Sequence, residues 1–165
     1  KEKLGYSVSR DFFNSVGIEC TSFDITGKQG SEQVDLGTEL KKYWGQFDIV
    51  ANFATSEHVY DEYNCFKNIH EFCRSGGAMV HAIPRKNSWP GHCYHYYDHN
   101  FFKNLSLTNG YQILILKEMK KNYDISAYVP VEFAGEPHDQ VNMHCLMLKT
   151  NNSNFISREQ FNQLR

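Results

Sequence analysis

Within its 165 residues the sequence has no Cys-x-x-Cys pair and no Gly-x-Gly-x-Gly turn. No apolar run approaches the roughly 20 residues that a membrane-spanning helix needs. Each absence excludes something. Five cysteines (Cys20, Cys65, Cys73, Cys93 and Cys145) are odd in number and scattered, which argues against a disulfide framework or a thiolate zinc site. Reduced, mostly buried thiols in a cytoplasmic protein are expected instead. Basic residues number 17 against 19 acidic ones, a formal net charge of −2. Without a basic excess, nucleic acid is not expected as the main partner. No charged segment followed by an apolar one opens the chain, so neither a secretory signal nor a membrane partner is expected.

What is present fits a single α/β domain with room for a core. Hydrophobic residues make up 41% and charged residues 22%, ordinary values for a globular protein. Aromatics reach 15%, and Tyr, Phe and His crowd into residues 92–102. Val8, Phe12, Phe13 and Val16 recur at helical spacing, which predicts a helix over 6–16 with Gly17 as its stop. Residues 18–25 alternate and predict a strand; 34–36 read as a second, very short one. A short helix is expected over 39–44. The nearly continuous apolar run 47–53 (FDIVANF) fits a central strand buried on both faces of a parallel sheet. An amphipathic helix over 60–73 follows, ended by Gly76-Gly77. Then come a strand at 78–83, a long loop at 85–98, a helix at 99–108 and strands at 111–117 and 141–149. The stretch 118–140 carries no clear pattern, and the polar tail 151–165 reads as peripheral to the domain at 1–150. Helix and strand alternate along much of this order, which predicts a Rossmann-like, mostly parallel sheet with helices on both faces.

In such sheets ligands bind beyond the carboxyl ends of the strands, so the residues there are the candidates. Asp24 ends the 18–25 strand, where a carboxylate can accept hydrogen bonds from ribose hydroxyls. Asp35 closes the next one. Asn52, Phe53, Ala54, Thr55, Ser56, Glu57 and His58 leave the 47–53 run together. Helix capping by Thr55 or Ser56 accounts for one of them, but not for Asn52, Glu57 and His58 at once. His81 lies within a strand and reads as a core histidine as readily as a site residue. Trp89, His92, His95 and Tyr96 stand in the long loop, and long loops in compact domains are commonly lids or binding loops. Aromatics with polar tips suit a small, partly apolar substrate. No metal is expected, since His92-x-x-His95 in an irregular loop is a poor ligand pair.

The ordered series SFDITG, VDL, FDIVANFATSEHV, NCFKNIHEFC and SGGAMVHAIP resembles the class I S-adenosylmethionine (SAM)-dependent methyltransferases. The likeness is nearest to a subgroup with a TSEHV segment after its fourth strand, and it spans roughly residues 7–111. The resemblance implies SAM as cofactor. It assigns Asp24 and Ile25 to the ribose, Asp35 and Leu36 to the adenine, and Asn52, Phe53 and Ala54 to the border of the methyl donor. It implies methyl transfer to a small-molecule acceptor, with His58, Glu57 and His92 as candidate acid–base residues and His81, Trp89, His95 and Tyr96 as candidate substrate contacts. The family opens with a strand and a glycine-rich turn. This chain starts at Lys1 rather than Met, near the following helix, so those elements are expected to lie upstream or to be missing. Two alternatives stand beside this reading. One is an NAD(P)-dependent Rossmann enzyme, whose ribose Asp24 would serve equally well; the other is a non-catalytic interaction domain.

Overall fold

The computed structural model describes residues 9–122, 127–130 and 140–165. The chain divides into two compact units, Lys1–Leu36 and Gly37–Arg165. In the first, helix α1 (Ser9–Ser15) is followed by strands β1 (Phe23–Asp24) and β2 (Glu32–Gln33), which pair in parallel. The Arg10 guanidinium donates to the Gly30 carbonyl and ties the helix to the β1–β2 turn. The strand expected over 18–25 thus contracts to its last residues, and the short strand lies at 32–33 rather than 34–36. Residues 6–8 of the expected helix fall outside the described residues.

The second unit is built on a five-stranded sheet. Its strands are β3 (Phe47–Phe53), β4 (Cys73–Pro84), β5 (Tyr111–Asn122), β6 (Ala127–Pro130) and β7 (Val141–Lys149), in the order β3-β4-β7-β5-β6. Helix α2 (Glu62–Phe72) carries the chain from β3 to β4, and these two strands are parallel. Helix α3 (His99–Asn109) leads to β5, and α4 (Arg158–Asn162) comes last. The 39–44 segment forms a 3₁₀ turn, Lys41–Tyr43, in place of the expected helix.

A mostly parallel Rossmann-like sheet with helices on both faces is therefore not what this chain forms. Among the described residues of this sheet only β3–β4 is a parallel pair; β4–β7, β5–β7 and β5–β6 are antiparallel. The helix–strand alternation that predicts parallel crossovers holds from β3 to β5, and then β7 inserts between β4 and β5 in the opposite sense. The helices of this unit share one face. Phe66 of α2, Phe101 of α3 and Phe161 of α4 have ring centroids 5.2–6.0 Å apart. Beneath them the strands bury every second residue, as a sheet covered on one face must: Met79, His81 and Ile83 on β4, and Met143, Cys145 and Met147 on β7. The 47–53 run is not buried on both faces either. Asn52 is its one buried residue, while Ile49 and Phe53 are 64% and 57% exposed on the other face.

Local chemistry explains the element ends. The Asp61 side chain caps α2 by accepting from the Asn64 amide at 3.1 Å, so neither Thr55 nor Ser56 fills that role. Asp98 caps α3 through the Phe101 amide at 2.9 Å, and Gly110 ends it in the left-handed conformation that glycine adopts without strain. Gly77 does not terminate α2. It lies in β4, and a Cβ there would stand 2.7 Å from the Asp48 carbonyl, so the β3–β4 approach at this point needs glycine. The tail is not peripheral: Phe155, Ile156, Phe161 and Leu164 are buried in the second unit. All five cysteines are free thiols, with Cys65, Cys73 and Cys145 buried.

Candidate functional site at the carboxyl ends of strands 3 and 4

Parallel pairing places the carboxyl ends of β3 and β4 side by side, with Asn52 opposite His81. Beyond β3 the backbone turns sharply at Ala54, whose φ of 48° lies in the left-handed region and is unusual for a side-chain-bearing residue. A 3₁₀ turn, Ser56–His58, follows at once. The turn is held from below. Asn52 Oδ1 accepts from the Ser56 amide at 3.1 Å, and Asn52 Nδ2 donates to Ser56 Oγ at 2.9 Å. The second Asn52 amide hydrogen faces His81 Nδ1 at 3.1 Å, and Ser56 Oγ meets the Tyr97 hydroxyl at 3.1 Å. All four residues are buried. With Nδ1 as acceptor, the His81 proton is assigned to Nε2, which has no hydrogen-bond partner. His81 stacks on Phe66 at 5.7 Å, and burial pushes its pKa down to about 3. Its ring packs in the core between Phe66 and Phe102.

The turn positions Glu57 and His58 differently. Glu57 is fully buried, and neither carboxylate oxygen has a hydrogen-bond partner. Burial raises its pKa, against the backbone amides of Glu57 and Thr55 and the neighbouring His92, which favour the ionised form. His58 reaches toward solvent with Nε2 4.0 Å from Glu57 Oε1. The long loop supplies the third member. Its backbone is fastened to the turn where the Tyr94 and His95 amides donate to the Glu57 carbonyl at 3.0 and 3.3 Å. This brings the His92 ring to 4.9 Å from that of His58. Ligand-capable atoms of Glu57, His58 and His92 all lie within 4.8 Å of one another.

The remaining loop residues hold the loop itself. The Tyr96 hydroxyl donates to the Trp89 carbonyl at 2.8 Å and accepts from the His92 amide at 3.1 Å. The Trp89 indole donates to the Val141 carbonyl at 3.1 Å. His95 Nε2 contacts the Val59 carbonyl at 3.1 Å, and its Nδ1 lies 3.6 Å from buried Glu62, which also pairs with Arg165. Thus the structure brings together Asn52, Ala54, Glu57, His58 and His92. It commits the polar tips of Trp89, His95 and Tyr96 to the fold, and it leaves Phe53 exposed on the face away from the helices.

The other candidates belong to the first unit. Asp24 Oδ1 accepts from the Thr26 amide at 2.7 Å and from the Thr26 hydroxyl, and these bonds hold its carboxyl below the usual range. Ile25 and Asp35 are exposed, and Leu36 is half-buried. Ser56 and Tyr97 are the residues that sequence reasoning passed over as site elements. Tyr97 stood in an aromatic-rich loop with nothing to separate it from its neighbours, and pairing Ser56 with a residue 41 positions away needs the fold.

No protein-family model and no curated protein matches the chain. Among solved structures, a chain titled "Conversion of a Disulfide Bond into a Thioacetal Group during Echinomycin Biosynthesis" matches with a TM-score of 0.50 and 14% identity. The match covers 89% of this chain and 63% of that one, so the present chain spans less than two thirds of its length. At this identity the likeness is one of fold alone.

Proposed function

We propose that this chain is part of a SAM-dependent methyltransferase acting on a small-molecule acceptor. The observation that supports this best is the convergence of Asn52, Ala54, Glu57, His58 and His92 at the carboxyl end of β3. The family resemblance puts the methyl donor at this strand end. Methyl transfer from a sulfonium is an in-line displacement: the methyl carbon–sulfur bond breaks, its electron pair stays on sulfur, and a bond to the acceptor forms. The enzyme aligns the two reactants and keeps water out. An acceptor hydroxyl or amine also loses a proton, and His58 is the group placed to take it. Its ring is accessible, and its Nε2 lies 4.0 Å from the Glu57 carboxylate. Asn52 and Ser56 are positioning residues that fix the turn carrying both.

Isothermal calorimetry of the chain with S-adenosylhomocysteine tests the reading. Micromolar binding is expected. A folded chain that gives no binding heat overturns the proposal. So does tight binding of reduced nicotinamide nucleotide in its place.

A further inference from the structure

We propose that Glu57, His58 and His92 form a binding site for a divalent metal ion of the zinc class. Two imidazoles and one carboxylate are a ligand set that borderline divalent metals accept in sites with an open position. The ligand-capable atoms lie within 4.8 Å of one another. Metal–ligand bonds of about 2.0–2.2 Å in a tetrahedral arrangement put ligand atoms roughly 3.3 Å apart. The required contraction is therefore up to about 1.5 Å. The two histidines can supply it, since both rings reach solvent and the His58 side chain is 44% exposed.

The second observation is Glu57 itself. It is fully buried, neither oxygen has a hydrogen-bond partner, and one of them lies within 4.8 Å of a ring nitrogen of each imidazole. A buried carboxylate left like this is costly unless a cation meets it. Nothing else in the cluster supplies a fixed positive charge. The frame is also rigid. The Ser56–His58 turn is pinned through Asn52 and Tyr97, and His92 is held through the Tyr96 hydroxyl and the bonds from the Tyr94 and His95 amides to the Glu57 carbonyl. Three residues, two adjacent and one more than thirty positions away, are thereby brought together before any ion arrives. The solvent side leaves a coordination position for water or for an anionic oxygen of a ligand.

An ion bound through His58 takes the lone pair that the methyl-transfer reading gives to proton transfer, so the inference stands apart from that reading, and its test uses no SAM. The whole chain, stripped with a chelator, is titrated with Zn²⁺ by calorimetry and with Co²⁺ as a spectroscopic probe. The expected result is one Zn²⁺ per chain at micromolar affinity or tighter, with cobalt d–d bands of a low-coordinate site. Loss of a partner outside the coordination sphere already weakens metal sites by about 10–100-fold, so His58→Ala, His92→Ala and Glu57→Gln should each weaken binding at least tenfold. His99→Ala, at the start of α3, should leave it unchanged. The two histidine variants alter exposed rings, so they keep the test decisive even if a change at buried Glu57 disturbs folding. No zinc binding overturns the proposal. Binding that is equally tight in folded Glu57→Gln also overturns it, because two surface histidines alone would then account for the ion.

Discussion

Among the described residues Glu57 is the one carboxylate whose two oxygens are both buried and both without a hydrogen-bond partner. Its pKa is raised by burial, so between the ordinary carboxylate value and the raised one the native state holds a proton that the unfolded chain has lost. At neutral pH that difference works against folding. Glu57→Gln should therefore make the metal-free protein more stable, by about 1 kcal/mol or more, the scale of an unsatisfied buried polar group. A higher urea midpoint for the variant at pH 7 is the expected reading. Saturating Zn²⁺ should reverse the order, because an ion that binds the native wild-type site at least tenfold more tightly raises that protein's midpoint by more. A variant less stable than wild type without metal would mean that the carboxylate has a partner in solution. Tyr97→Phe tests the layer beneath. It removes the hydroxyl from Ser56 Oγ while keeping the ring against Phe66 and Phe101, and a loss of about 1 kcal/mol is expected.

At the scale of elements, α2 decides most. It joins the one parallel pair of strands in the sheet, and its Phe66 touches Tyr97, Phe101, Phe161 and His81. Phe66→Ala should cost about 3–5 kcal/mol, read as a loss of midpoint in chemical unfolding. Asp98→Ala, which removes only the cap of α3, should cost about 1 kcal/mol. The sequence carried α2, α3, β3 and β4 openly, because spacing of Phe66, Ile69 and Phe72 and stops such as Asn109-Gly110 are local signals. Strand orientation was not legible. The run 47–53 is apolar enough for a strand buried on both faces, yet Ile49 and Phe53 are exposed, and burial depends on what packs against a strand rather than on its own composition. The antiparallel insertion of β7 between β4 and β5 is a long-range event that no periodicity records. The site was legible in part for the same reason. Glu57 and His58 announced themselves as polar residues straight after a strand. The placing of His92 beside them, the burial of His81 and the hydrogen bonds that Trp89 and Tyr96 make within the fold rest on loop closure and core packing.

For the whole molecule the consequence lies in its response to acid. His70 and His81 are both buried in the second unit, and burial lowers their pKa values to about 4 and about 3. His70 is fixed between the Tyr111 hydroxyl and the Ser153 carbonyl, and nearby Lys149 lowers it further. In the unfolded chain both return to roughly 6.5. Below that value the unfolded state binds protons that the native state refuses, so stability is complete above about pH 6.5 and declines as pH falls toward the folded values. Each histidine contributes up to about 1.4 kcal/mol per pH unit within this window. His144, also lowered by burial, acts in the same direction, whereas Glu57 opposes it as it regains its proton. Three groups against one predict that the urea midpoint falls steadily from pH 6.5 to 4.5, before the surface carboxylates that keep their charge in ion pairs, such as Asp61 with Arg158, begin to titrate. Ring-proton NMR should show His81 without titration above about pH 4. A midpoint that stays level to pH 4.5, or a His81 resonance that titrates near 6.5, would mean that water reaches the Asn52–His81 pair.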